Sequence, residues 1–214
     1  MLHNNKTARE VAKGLLDIQA VKLDTANPFT WASGMKSPIY CDNRKTLAYP
    51  LFRSAIKQAF LDLVRQHYPE ANLIAGVATG AIAQGALVAE AMNLPYAYVR
   101  DKPKGHGMGN VIEGDIKGGE KAVVIEDLIS TGGSSLKAVE ALREAGVDVL
   151  GMAAIFTYHF READERMQQA GVSCYTLSDY PTLIEIAADN GYVQSDEVET
   201  LMRWYKDPPA WIKP

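Results

Sequence analysis

Strand-length apolar runs alternate with helical periods along this sequence, and this alternation limits the fold more than any other feature. The runs cover residues 73–77, 96–99, 122–125, 149–156 and 172–177. Most are followed by a stretch with helical periodicity, at residues 82–92, 135–145 and 161–170. Nearly unbroken apolar strands with helices between them predict a parallel sheet that helices cover on both faces. We therefore expect an α/β fold with a core of about five parallel strands.

The segments on either side of this core have signals of their own. The spacing of Thr7 and Glu10 fits a capping box, which predicts the start of an amphipathic helix. Residues 27–44, NPFTWASGMKSPIYCDNR, predict a loop with a pair of short strands. Residues 181–214 predict two short helices. Their aromatic residues are expected to pack on the body of the protein or at an interface: Trp204, Tyr205 and Trp211.

The composition is that of a soluble globular protein, with 47% hydrophobic and 22% charged residues. A net charge of -4 argues against a general nucleic-acid binder. Residues 73–92 are mostly apolar, but three glycines interrupt the run, so we expect no membrane span. Two cysteines, Cys41 and Cys174, predict free thiols and a cytoplasmic protein rather than a disulfide framework.

The stretch KAVVIEDLISTGGSSL, residues 121–136, places two acids before a loop of small residues. We expect the strand to end at Ile125 and a helix to begin at Ser135. The free amides and the dipole of a helix start favour a phosphate, although the lysine of a P-loop is missing. Glu126 and Asp127, the acid pair, then fit a ligand whose hydroxyl groups lie near its phosphate, as in a 5-phosphoribosyl group. The other interpretation is an ordinary strand–turn–helix with solvated acids.

A second pattern, VRDKPKGHGMGNVIEG, places several cations and glycines directly after a predicted strand. These residues, 99–114, are called the lid below. A run of charges alone is more often a solvated loop. Next to a phosphate site, however, the same cations predict a segment that closes over an anion and stabilises charge on a leaving pyrophosphate.

These patterns together resemble a known family. VVIEDLISTGGSS is similar to the signature of phosphoribosyltransferases that use 5-phosphoribosyl-1-pyrophosphate (PRPP). RDKPKGHG resembles the mobile catalytic loop of the orotate phosphoribosyltransferases, and FTWASGMKSPIYCDNR and GVATGAIAQG resemble other segments of theirs. The resemblance implies one phosphoribosyltransferase-type (Rossmann-like) domain. It has a hood at about residues 1–48, a core at about 49–180 and a helical tail at 181–214.

The same resemblance implies roles for particular residues. It assigns catalysis to Arg100, Lys104, His106 and Asp127. It assigns PRPP binding to Arg100, Lys102, Lys104, His106, Glu126, Asp127, Leu128, Ile129, Ser130, Thr131, Gly132, Gly133 and Ser134. Orotate is expected to contact Ser130 and Lys36.

The implied reaction joins PRPP and orotate to give orotidine 5'-monophosphate and pyrophosphate, in pyrimidine synthesis. Mg²⁺ is the implied cofactor and is expected to be held mainly through PRPP rather than by a protein cage. The implied assembly is a homodimer in which each lid serves the partner's site, with no nucleic acid or membrane as partner. A purine-salvage phosphoribosyltransferase and a PRPP-sensing regulator are the alternatives. A purine-salvage enzyme would not share the hood and the lid together, and a regulator needs an added DNA-binding module or a basic RNA face.

Two positions depart from the family pattern. Gly80 and Ala32 stand where some members have lysines, and Lys36 is expected to take over part of the second role. Phe29 and Tyr40 are equally compatible with stacking on a base and with packing. The remaining histidines are isolated in the sequence and are expected to be surface or packing residues: His3, His67 and His159.

Overall fold

The computed structural model describes residues 1–31, 33–102 and 111–211. Its helices are α1 (Asn5–Asp17), α2 (Pro50–His67), α3 (Ile82–Met92), α4 (Gly133–Glu144), α5 (Arg161–Gln169), α6 (Tyr180–Asp189) and α7 (Ser195–Lys206). Its strands are β1 (Val21–Leu23), β2 (Phe29–Thr30), β3 (Lys36–Ser37), β4 (Ile39–Cys41), β5 (Leu73–Val77), β6 (Tyr96–Val99), β7 (Ile112–Glu113), β8 (Lys121–Ile129), β9 (Asp148–Thr157) and β10 (Cys174–Asp179). Within these ranges, no helix has both the length and the apolar character needed to cross a bilayer.

The central sheet of the described chain has six strands in the order β10-β9-β8-β5-β6-β7. Its neighbouring strands pair in parallel except β7, which runs antiparallel to β6. Val123 and Ile125 of β8 belong to one buried apolar cluster, and Ala122 and Val124 belong to another. Because successive residues of a strand face opposite sides, both faces of the sheet are covered. The predicted α/β fold is confirmed, and β7 adds a strand too short for the apolar pattern to reveal.

Strand β8 continues four residues beyond its predicted end at Ile125. Residues 126–129 keep pairing with β9 as far as Ile129, which lies opposite Thr157. The prediction of a loop from residue 126 was therefore wrong, because the backbone ladder to β9 holds the acid pair in extended conformation. Helix α4 also begins earlier than predicted, at Gly133, since Gly132 takes a left-handed φ of 77° and forms the cap.

Helix α1 begins at Asn5, two residues before Thr7. Its N-cap is Asn4, whose side-chain oxygen accepts a hydrogen bond of 2.7 Å from the backbone amide of Thr7. The predicted capping box of Thr7 and Glu10 was therefore wrong, because Asn4 satisfies the free amide of the first turn instead. The buried face of α1, which includes Ala8 and Leu15, packs against β10 and α6.

Short strands fill the segment between α1 and α2. Strand β2 pairs antiparallel with β3, which confirms the pair of short strands predicted within residues 27–44. Strand β4 pairs antiparallel with β1, which lies before that range. A 3-10 helix, Asn43–Ala48, then leads into α2. This connection brings the end of the N-terminal segment to the carboxyl end of β8, where Asn43 contacts Asp127.

The two predicted helices of the tail are present as α6 and α7. Trp204 of α7 is fully buried, and its ring centroid lies 5.3 Å from that of Tyr180 and 5.8 Å from that of Trp31. The hydroxyl of Thr25 also donates a hydrogen bond of 2.8 Å to Glu197 of α7. The packing predicted for Trp204 is confirmed, and α7 joins the segment that carries β2 and β3.

Candidate functional site

The acid pair lies at the carboxyl end of β8, where an open parallel sheet commonly binds its ligands. Glu126 is 4% exposed, and both of its carboxylate oxygens accept hydrogen bonds from the protein. The backbone amide of Asp127 donates to Oε1 at 2.9 Å, and the hydroxyl of Ser135 donates to Oε2 at 2.7 Å. Glu126 therefore joins β8 to the first turn of α4, whereas Asp127 is partly exposed.

Burial shapes the protonation of both acids. It raises the pKa of Glu126 above its usual range, and the negative charge of Asp127 raises it further. Burial is also the main cause of the raised pKa of Asp127. Two carboxyl groups this close do not both ionise readily, so the pair retains a proton more strongly than two separate acids would. A cation or a hydroxyl donor from a ligand would favour the fully ionised pair.

The loop after the acid pair forms a helix start suited to an anion. Thr131 and Ser134 are exposed, and Gly132 packs so tightly that a Cβ there would lie 3.3 Å from Cε of Met167. The first amides of α4 lack partners within their own helix, and the helix dipole adds positive potential there. This arrangement, called the phosphate loop (residues 128–134), is of the kind that binds a phosphate group.

The turn after β5 lies directly against the carboxylate of Asp127. A Cβ built on Gly80 would lie 2.0 Å from Oδ2 of Asp127, so any side chain there would displace that carboxylate. The peptide bond between Ala78 and Thr79 in the same turn is cis. The lysine that some family members have at the position of Gly80 is therefore incompatible with this placement of Asp127.

The described ends of the lid lie at the carboxyl end of β6, on the same side of the sheet as the acid pair at the carboxyl end of β8. Arg100 follows β6, its amide donates to the carbonyl of Val111, and its guanidinium lies 3.3 Å from a carboxylate oxygen of Glu113. Asp101 forms an ion pair of 3.6 Å with Lys137 of α4, and Lys102 is exposed. The remaining predicted lid cations, Lys104 and His106, lie outside the described residues.

The predicted orotate residues lie in two places. Ser130 follows β8 directly and is partly exposed. Lys36 is exposed in β3, and its ammonium donates a hydrogen bond of 2.7 Å to the hydroxyl of Thr30. The rings of Phe29 and Tyr40 pack against each other with centroids 5.7 Å apart, and Tyr40 remains 42% exposed. Ala32 lies outside the described residues.

A cavity of about 430 Å³ borders the phosphate loop at Thr131. Met35, which precedes β3, lines it from the N-terminal segment, and Tyr205 and Lys206 of α7 line it from the tail. His159 also lines this cavity, with a left-handed φ of 53° and its Nδ1 atom 3.2 Å from a carboxylate oxygen of Asp164. The tail therefore forms part of the wall next to the phosphate loop, which the sequence did not reveal.

The histidines are less isolated than their spacing suggests. Nδ1 of His3 lies 3.3 Å from Nε2 of His67, whose ring stacks on Tyr175 with centroids 3.6 Å apart. The packing role predicted for these two histidines is confirmed, because the N-terminal residues pair with the edge of β10 beside α2 and so bring His3 to His67. Within the ranges that the structure describes, no three potential ligands gather in a way that could hold a metal ion.

The raised pKa of Glu126 predicts a pH dependence of stability. Burial and the charge of Asp127 raise the pKa of this group to about 8 in the folded protein, so we expect it to keep its proton at pH values where the unfolded chain, with the ordinary pKa of 4.5, has released it. The free energy of unfolding should therefore fall as pH rises between these values and show no further change from this group above them. Urea unfolding at several pH values in this range measures the free energy of unfolding of the wild type and of Glu126→Gln. We expect the difference between the two free energies to change with pH. A difference that stays constant with pH would contradict the assignment.

Comparison with known proteins gives consistent matches. A model of the phosphoribosyl transferase domain matches residues 45–188. The orotate phosphoribosyltransferase of Cytophaga hutchinsonii is 56% identical over 96% of this chain and 98% of its own length. The orotate phosphoribosyltransferase structure from Aeropyrum pernix is 29% identical with a TM-score of 0.75, over 86% of this chain and 99% of that one. Leishmania donovani UMP synthase is 27% identical with a TM-score of 0.79 over 93% of this chain, which corresponds to 42% of that longer chain.

Proposed function

This chain belongs to the orotate phosphoribosyltransferases, and from that premise we propose that the carboxyl edge of its sheet binds PRPP and orotate side by side. The enzyme transfers the 5-phosphoribosyl group of PRPP to orotate and releases pyrophosphate, which gives orotidine 5'-monophosphate. One observation supports this use of the site above all others: an acid pair at a strand end is followed immediately by an anion-binding helix start. That order matches a sugar with hydroxyl groups beside a 5-phosphate.

The function is tested by supplying PRPP and Mg²⁺ together with orotate or with a purine base. We expect orotate to be consumed and the purine base to remain. Consumption of the purine base instead would indicate a salvage enzyme. Binding of PRPP without turnover of either base would indicate a regulator. Either of these outcomes would overturn the proposal.

We assign the parts of PRPP to the parts of the site. The phosphate loop, residues 128–134, binds the 5-phosphate, with backbone amides and the hydroxyl groups of Thr131 and Ser134 as donors. Asp127 accepts hydrogen bonds from the ribose hydroxyls. Glu126 is proposed to hold Asp127 in place, because both Glu126 oxygens already accept hydrogen bonds from the protein.

Catalysis is proposed to depend mainly on electrostatic stabilisation. As the bond from ribose to pyrophosphate breaks, positive charge develops on the ribose and negative charge on the leaving group. Arg100, Lys102, Lys104 and His106 of the lid would stabilise the leaving pyrophosphate. Orotate, with Ser130 and Lys36 as proposed contacts, supplies the attacking nitrogen and needs no strong base if it binds deprotonated.

Mg²⁺ fits the donors present at this edge. Mg²⁺ commonly binds one or two carboxylates together with substrate phosphates. Burial raises the pKa of both acids, and the charge of Asp127 raises the pKa of Glu126 further, so a nearby cation would favour the ionised pair. We propose that Asp127 faces the ion through the ribose hydroxyls. When bound, the ion would neutralise charge on the pyrophosphate group.

The wider organisation is also proposed. The chain forms one domain, made of the hood (residues 1–48), the core (49–180) and the tail (181–214). Two copies of the chain form a homodimer in which each lid serves the partner's site. Size measurement by light scattering tests the dimer. A cytoplasmic location, supported by the free thiols of Cys41 and Cys174, is tested by cell fractionation.

Replacing Asp127 with asparagine should weaken PRPP binding. The change keeps the shape of the side chain but replaces a charged acceptor by a neutral amide. A hydrogen bond to a charged group contributes about 1.5–3 kcal/mol, so the dissociation constant should rise about ten- to a hundredfold. Calorimetric titration with PRPP and Mg²⁺ measures this, with Asp148→Asn at the opposite end of the sheet as the matched control. Unchanged affinity in the Asp127 variant would contradict the ribose contact.

A further inference from the structure

Asn43 makes a direct contact with the acid pair that the sequence did not suggest. It is 2% exposed at the start of the 3-10 helix, and its amide nitrogen donates a hydrogen bond of 2.5 Å to the backbone carbonyl of Asp127. Because a carbonyl oxygen only accepts, the nitrogen of the amide must face Asp127. The amide oxygen of Asn43 accepts from the thiol of Cys41 at 3.3 Å. Both ends of the Asn43 side chain are therefore fixed.

The contact belongs to a chain of hydrogen bonds that links Asn43 to helix α3. The hydroxyl of Thr46 donates to the carbonyl of Asn43 at 2.6 Å and accepts from the amide nitrogen of Gln84 at 3.2 Å. Gln84 lies in the first turn of α3, directly after the turn in which Gly80 presses on the carboxylate of Asp127. The backbone carbonyl of Asp127 is thus held by the hydrogen bond from Asn43, and its carboxylate lies close to the backbone at Gly80.

We propose that Asn43 is the positioning residue for Asp127 and sets the direction in which this carboxylate meets the ribose hydroxyls of PRPP. The inference rests on the proposed function and deepens it. Asn43 precedes residues 45–188, the part that matches the phosphoribosyl transferase domain. The ribose site therefore depends on the N-terminal segment as well as on the sheet.

The test is the Asn43→Asp variant. This change has nearly the same shape but turns a carboxylate oxygen, instead of an N–H donor, toward the carbonyl of Asp127. We expect the KM for PRPP to rise about tenfold or more, because small misplacement of a positioning group has large effects, while the KM for orotate stays within about twofold. A general loss of structure would alter both KM values or the amount of folded enzyme.

Asn190→Asp is the matched control. The amide of Asn190 also donates to a backbone carbonyl, that of Ile186 at 2.9 Å, but it lies at the end of α6 away from β8. Both variants lose one such bond, so thermal unfolding should show destabilisation in each. The PRPP KM should change in the Asn43 variant alone. If Asn43→Asp does not fold, Thr46→Val replaces it, since this change removes the hydroxyl that joins Asn43 to Gln84.

The outcomes separate this inference from the proposed function. If the wild type does not consume orotate, or if Asp127→Asn retains full PRPP affinity, the proposed function or its ribose contact fails. If Asp127→Asn loses affinity while folded Asn43→Asp keeps the wild-type PRPP KM, the positioning role of Asn43 is overturned alone. Where Thr46→Val is the variant used, an unchanged PRPP KM has the same meaning.

Discussion

Replacing Lys104 with alanine is expected to lower turnover about a hundred- to a thousandfold, which is the usual loss when one preorganised donor to a developing charge is removed. The change should have little effect on stability, because a lysine in a lid of this composition has little apolar surface to bury. Steady-state turnover with PRPP and orotate gives the first quantity, and thermal unfolding gives the second. Lys6→Ala, which removes an exposed lysine of α1, is the control. Near-wild-type turnover of Lys104→Ala would refute the lid assignment.

The same variant tests whether lids are shared between subunits. Mixing Lys104→Ala with Asp127→Asn allows a heterodimer in which one site combines an intact lid with an intact acid pair. If each lid serves the partner's site, activity should reappear after subunit exchange. Failure to recover any activity, once exchange has been confirmed, would count against sharing.

The largest effect on stability is expected for Trp204→Ala. Truncating a fully buried tryptophan commonly costs about 3–5 kcal/mol, through lost apolar burial and the cavity that remains. Trp204 is fully buried, and its ring centroid lies within 6.0 Å of those of Tyr158, Tyr180 and Phe160. Urea unfolding should therefore show a lower midpoint.

Leu51→Ala supplies the contrast for this prediction. Leu51 is also large and apolar, but it is 90% exposed, so its truncation should change the free energy of unfolding by no more than about 0.5 kcal/mol. If Trp204→Ala were as stable as Leu51→Ala, the packing of α7 against the body of the protein would be unsupported.

The parts of the fold that depend on local pattern could be predicted from the sequence. The strands Leu73–Val77 and Tyr96–Val99 and the helix Ile82–Met92 have the predicted bounds, because continuous apolar runs and helical periods are local signals. The end of β8 could not be predicted in this way. Residues 126–129 are extended because they pair with β9, which is distant in sequence.

The residue types of the candidate site could be predicted from the sequence, but the contacts between distant segments could not. The acids and the glycine-rich helix start are adjacent in the sequence, so their association is a local fact. The bond from Asn43 to Asp127 joins residues 84 apart, and nothing in either segment specifies it. The clash that excludes a side chain at Gly80 likewise arises from neighbouring strands in the folded sheet.

The burial of Trp204 has a spectroscopic consequence. The chain has three tryptophans, Trp31, Trp204 and Trp211, and they lie in the N-terminal segment and the tail. Indole fluorescence therefore originates from these two segments and not from the sheet that carries the acid pair. Within the described structure, the indole nitrogen of Trp204 is buried and makes no hydrogen bond, an environment of low polarity that shifts emission toward the blue. Tryptophan fluorescence should therefore report on the contact between the N-terminal segment and the tail, where Trp31 packs against Trp204.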